Sequence, residues 1–110
     1  MSYRCDHIHL RSKDAVAAAA FYVETLGARE IRRDGSSVAS RVTIDLGGLI
    51  LFIEQAPEGL GASPEPPRLG IEHIGLAVED IEATMNRLLQ TQHAGATLLR
   101  THPGIRAGLA

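Results

Sequence analysis

Polar and apolar positions alternate from Cys5 to Arg11. Cys5, His7, His9 and Arg11 fall on one face of an extended chain, and Asp6, Ile8 and Leu10 on the other. A period of two predicts a strand. Ile8 and Leu10 ask for a buried face, so the imidazoles of His7 and His9 point together to a polar face or a cavity. From Ala15 to Leu26 the period changes to that of a helix. Val16, Ala19, Ala20, Val23 and Leu26 form one small apolar stripe, suited to close packing on a sheet. Asp14 precedes this run as an N-cap and Gly27 follows it as a C-cap. A short strand is predicted over 28–33, a turn at Asp34-Gly35-Ser36-Ser37, a strand over 38–46, a tight turn at Gly47-Gly48 and an apolar strand over 49–54. The first unit therefore reads β-α-β-β-β.

The opening pattern occurs twice. Asp6-His7-Ile8-His9-Leu10, followed at Asp14 by a helix start, is echoed by Glu72-His73-Ile74-Gly75-Leu76, followed at Asp80 by another. After Gly27 comes Ala28-Arg29-Glu30-Ile31-Arg32, and after Gly95 comes Ala96-Thr97-Leu98-Leu99-Arg100. An echo that covers strand, helix and next strand means one supersecondary unit used twice. The second helix carries Ile81, Met85, Leu88 and Leu89 on one face. Between the copies, a segment rich in Pro and Gly has the composition of a linker. The expected organisation is a first βαβββ module over 1–55, a linker over 56–70 and a shorter second βαβ module over 71–110. His102-Pro103-Gly104 reads as a turn, leaving room for at most one further short strand. The fold class is α+β: paired βαβββ modules whose strands form a curved mixed-sheet cup, the second module incomplete at its C-terminus, both helices outside.

Composition narrows the partners. In 110 residues, one domain or two half-domains sharing a core can form. The formal net charge of -2 supplies no basic field for phosphates, so nucleic acid is not an expected partner. A single cysteine allows no intramolecular disulfide and suits a reducing compartment. No apolar run is long enough to span a bilayer, and no apolar segment follows Met1-Ser2-Tyr3-Arg4 as in a signal peptide. A cytoplasmic protein without a membrane partner is expected.

The best functional signal is the matched pair His7 and His73. Imidazole ligates Zn, Ni, Fe and Mn, and repeated units are a simple way to supply two. Hydrogen-bonded wall residues would give the same pattern. His9 shares the face of His7 and has no counterpart, since Gly75 stands there. His93 and His102 are given no role.

His7-Ile8-His9-Leu10 with Asp14, Phe21-Tyr22 with Leu26-Gly27, and His73-Ile74-Gly75-Leu76 with Asp80 resemble the vicinal oxygen chelate superfamily. That superfamily includes glyoxalase I, methylmalonyl-CoA epimerase, extradiol dioxygenases, and the fosfomycin and bleomycin resistance proteins. The resemblance implies a cup around one divalent metal (Zn, Ni, Co, Mn or Fe), with His7 and His73 as ligands from the first strand of each unit. Aligned on the family's fourth strand, the next ligand position falls on Leu51, which has no donor atom. Glu54 is the nearest carboxylate, a weaker candidate as ligand and as catalytic group, because three residues on it faces the other way unless a bulge turns it in. His9, Arg11 and Leu51 are candidates for the substrate cavity. The implied function is a metal-dependent lyase or isomerase acting on a small molecule through an enolate-type intermediate. The alternatives are a metal-free binding protein of resistance type, with no cofactor, and an extradiol-type dioxygenase. Open sheet edges in the shorter unit, and the family's habit of pairing units, predict a homodimer.

Overall fold

A computed structural model describes residues 2–35, 40–91, 96–100 and 104–109. His93, His102, Gly95, the turn residues Ser36-Ser37 and the expected strand start at Val38-Ala39 lie outside them. The chain divides into two units, Met1–Leu60 and Gly61–Ala110. Among the described residues, no helix is long and apolar enough to cross a membrane.

In the first unit, β1 (Ile8–Ser12), α1 (Ala15–Leu26), β2 (Arg29–Asp34), β3 (Arg41–Leu46) and β4 (Leu49–Gln55) follow one another, the expected β-α-β-β-β order. The strands hydrogen-bond in the order β1-β4-β3-β2. β1 runs parallel to β4, whereas β3 is antiparallel to both β4 and β2, so the sheet is mixed. A register shift between Glu30 and Arg32 puts a bulge in β2. β3 and β4 meet at Gly47-Gly48, both with positive φ (60° and 99°), a conformation open to glycine at little steric cost. The Asp45 carboxylate closes this turn by accepting from the Gly48 N–H at 2.8 Å.

α1 begins where Asp14 accepts from the Ala17 N–H at 3.0 Å and ends at Gly27, φ 73°. The Ala28 N–H there reaches back to the Tyr22 carbonyl at 3.1 Å. Gln55, at the end of β4, accepts from the Ala15 N–H at 3.0 Å and donates to the Lys13 carbonyl. The start of the helix is thus tied to the far end of the hairpin. α1 packs against β3 and β4. Its buried side chains are Ala15, Ala19, Phe21, Tyr22 and Thr25. The stripe is rotated from the expected one, and Val16 is 38% exposed. Burying the rings of Phe21 and Tyr22 removes more apolar surface than burying Val16 and Ala20, and that difference orients the helix. The sheet contributes Val42, Ile44, Leu46, Leu51 and Ile53 to the same core.

In the second unit, β5 (Ile74–Ala77), α2 (Ile81–Thr91), β6 (Ala96–Arg100) and β7 (Gly104–Leu109) give β-α-β-β. β7 is the one further strand for which the sequence left room. Asp80 repeats the role of Asp14, accepting from the Ala83 N–H at 3.0 Å. On α2, Leu88 is buried and Ile81 and Met85 are half-buried, while Leu89 is 57% exposed. This sheet is antiparallel, ordered β5-β7-β6, so β7 pairs directly with β5, whereas in the first unit β4 stands between β1 and β3.

Candidate functional site

Strand register decides which side chains share the face of His7. In the β1–β4 pair, His9 lies opposite Phe52 and Arg11 opposite Glu54, while Ile8 and Leu10 lie opposite Leu51 and Ile53. In the β3–β4 pair, Arg41 lies opposite Glu54 and Thr43 opposite Phe52. Side chains alternate along each strand. One face of the sheet therefore carries His7, His9, Arg11, Arg41, Phe52 and Glu54, and the other carries the core against α1.

Two expectations change with this register. Leu51 does not share the face of His7: it is 0% exposed in the core, and the β4 residue beside the histidines is Phe52. Glu54 needs no bulge to join His9, because it was Leu51, and not Glu54, that faced away. The sequence reading also missed Arg41 and Phe52. Counting outward from the Gly47-Gly48 turn pairs Arg41 with Glu54, so that signal was available.

His7 stacks on Phe52, with ring centroids 4.0 Å apart and planes at 19°. Its Nδ1 lies 2.7 Å from the Asp6 carboxylate. An imidazole that donates from Nδ1 keeps the Nε2 lone pair for another partner, as in carboxylate–histidine–metal arrangements. His9 meets Phe52 edge-on at 6.3 Å, and Arg41 lies over the same ring at 5.1 Å.

Glu54 is the charged centre of the face. Its Oε1 accepts from Arg41 Nη2 at 2.8 Å and Nε at 3.3 Å. His9 Nε2 stands 3.5 Å from Oε1, and Arg11 Nη2 stands 3.6 Å from Oε2. The hydrogen bond from Arg41 holds the Glu54 carboxyl below its ordinary range; desolvation opposes it, and the charges of Arg41, His9 and Arg11 add to the lowering. A carboxylate kept ionised in this way is a weak base, the reverse of what proton transfer near neutral pH needs. Its fit to a divalent ion is equally poor, since two guanidiniums already neutralise it. Among the described residues, no group of three or more His, Cys, Asp and Glu side chains is placed to hold a metal ion. The donor that fits is the His7 imidazole. His73 is exposed and immediately precedes β5 in the second unit.

A sequence model described as the glyoxalase/bleomycin resistance protein/dioxygenase superfamily matches residues 4–104. The chain belongs to that superfamily. Solved structures with the same fold include a glyoxylase/bleomycin resistance protein/dioxygenase domain from Frankia sp., 23% identical with a TM-score of 0.65, covering 90% of this chain and 74% of that one. The fosfomycin resistance protein FosX from Listeria monocytogenes, crystallised with Mn(II) and sulfate, is 21% identical with a TM-score of 0.67, covering 91% and 78%. A glyoxalase family protein from Enterococcus faecalis is 24% identical with a TM-score of 0.61, covering 90% and 77%. No curated protein matches the sequence. At these identities the neighbours establish the fold of the superfamily member, and its own side chains carry the chemistry.

Proposed function

We propose that this superfamily member is a divalent-metal-dependent lyase or isomerase for a small molecule, with His7 as a metal ligand. The observation that carries the reading is the Asp6–His7 bond of 2.7 Å, which fixes the ring and leaves Nε2 free. The Mn(II) complex of FosX supports it by likeness of fold. His73 is the second ligand this reading assigns, on the sequence repeat alone. A bound divalent ion would supply Lewis acidity to stabilise an oxyanion or enolate on the substrate. The chain's own contributions are then clear. Asp6 orients the His7 ring, Phe52 packs against it and limits its rotation, and Arg41 with Arg11 gives the face its positive charge. Glu54 positions those guanidiniums and is not the group that moves a proton.

The test is metal content. Protein incubated with Mn(II) or Zn(II) and desalted is expected to retain metal. His7→Ala should lower the retained amount while the far-ultraviolet circular dichroism stays unchanged. Wild type that retains none under replete conditions would remove this reading.

The second reading, a metal-free binding protein of resistance type, is favoured by two observations: the β4 residue against His7 is an aromatic ring, and the nearby carboxylate is consumed by Arg41. We further propose a homodimeric cytoplasmic protein. Sedimentation equilibrium at low micromolar concentration should give twice the chain mass; a folded monomer would refute the dimer.

A further inference from the structure

The charges on the His7 face do not balance. Arg11 and Arg41 contribute two positive charges and Glu54 one negative charge. The other acidic groups that β2 and β3 place near Arg41 are already matched, Asp34 to Arg32 at 2.7 Å and Asp45 to Arg29 at 3.5 Å. Asp6 bonds the His7 ring at 2.7 Å and keeps its own charge, but it is 77% exposed to water, so the surplus is local to Arg11, Arg41 and Glu54. Arg11 is the least committed of the set. Its one ion pair among the described residues is the 3.6 Å approach to Glu54, too long for a hydrogen bond, and its side chain is 55% exposed. A guanidinium offers five N–H donors in a planar fork that matches a carboxylate or phosphonate edge. Arg41 spends Nε and Nη2 on Glu54, which leaves Nη1. Between these cations and His7 lies the half-buried ring of Phe52, with half-buried Ile50 two residues before it on the same face of β4.

We propose that Arg11 and Arg41, held by Glu54 beside Phe52, form an oxyanion subsite that takes the acidic group of a small organic acid. The apolar body of the acid lies on the Phe52 ring. This deepens the proposed function and rests on its reading of the His7 face as the ligand face. It names the substrate class, an organic carboxylate or phosphorus oxyanion, and makes Glu54 a positioning residue. A simple solvated arginine pair on a sheet surface would attract anions diffusely, without saturation at one site, and that difference is measurable.

The experiment uses the full chain freed of metal by passage over a chelating resin, with no soluble chelator present, so that metal at His7 contributes nothing. Arginine Nε–H signals are followed by NMR during titration with benzoate, with inorganic phosphate and with benzamide, the neutral counterpart of benzoate. Benzoate or phosphate is expected to shift the Arg11 and Arg41 signals saturably, while benzamide at the same concentration does not. Benzoate as the tighter of the two identifies a carboxylate ligand, and phosphate as the tighter a phosphorus oxyanion. Arg11→Gln and Arg41→Gln should each weaken binding roughly fivefold or more, the loss of a charge-assisted hydrogen bond at a partly exposed site. Arg11 is exposed, so Arg11→Gln is the variant that tests the claim if Arg41→Gln disturbs the hairpin. Titrations of Arg11→Gln that superimpose on wild type, or benzamide binding as tightly as benzoate, overturn the subsite. Because metal is absent throughout, failure here leaves the metal-content test of His7 untouched, and failure of that test leaves this one standing.

Discussion

Two residues tie this protein to pH in opposite directions. Glu54 ionises more readily when folded, because Arg41 donates to its carboxylate. Its contribution to stability is therefore present above the ordinary carboxylate value of 4.5 and is lost as the pH falls through its lower folded value. Glu54→Gln should flatten the acid side of the stability profile, as measured by urea unfolding at a series of acidic pH values. An acid limb as steep in the variant as in wild type would show that the ion pair does not stabilise the fold. Tyr22 works the other way. Burial against the sheet pushes its phenol from 10.0 up to about 12. The folded state keeps the neutral form where the unfolded chain ionises, so this contribution is whole below 10 and disappears between 10 and about 12. Tyr22→Phe should remove that part of the alkaline loss of stability, read by thermal unfolding at rising pH.

The elements were legible in the sequence wherever a local residue dictates them. Asp14 and Asp80 cap helices by accepting from the N–H three residues on, at 3.0 Å in both, and Gly27 ends α1 with a positive φ. Space is open around the Cβ that Gly27 lacks. Gly27→Ala should therefore cost only the backbone penalty of the left-handed conformation, about 1 kcal/mol, and chemical denaturation should show it without a change in fold. The candidate site was half legible for a related reason. His7, His9 and Arg11 alternate within one strand, so their common face follows from the period of two. Which β4 side chains join them depends on the parallel register of β1 against β4, across an intervening helix and two strands. No local residue dictates that register, and the sequence reading placed Leu51 where Phe52 stands. The hairpin arithmetic from Gly47-Gly48 would have joined Arg41 to Glu54, yet it says nothing of β1. The rotation of α1 was missed because the stripe was read by apolar identity, where the area of the Phe21 and Tyr22 rings decides.

At the scale of the whole molecule, the two units have unequal means of staying folded. In the first, β3 and β4 each have hydrogen-bonded neighbours on both sides, and Val42, Ile44, Leu51 and Ile53 among their side chains are at most 1% exposed. β1 and β2 are the sheet's edges, and β2 presents five exposed side chains in six, its charged sequence discouraging a further strand. In the second, β5 is an edge strand of four residues whose side chains are at best half-buried, and the segment preceding it, 61–73, has no strand or helix. Amide protection follows hydrogen bonding and burial together, and local opening proceeds through contiguous units. Hydrogen exchange should therefore find its slowest amides in Arg41–Leu46 and Leu49–Gln55. The outward-facing amides of β2 should exchange sooner, and β5 should lose protection well before β3. If β5 persists as long as β3 and β4, with a common exchange rate, the two units open as one body, and the short edge strand must be held by something besides its own sheet.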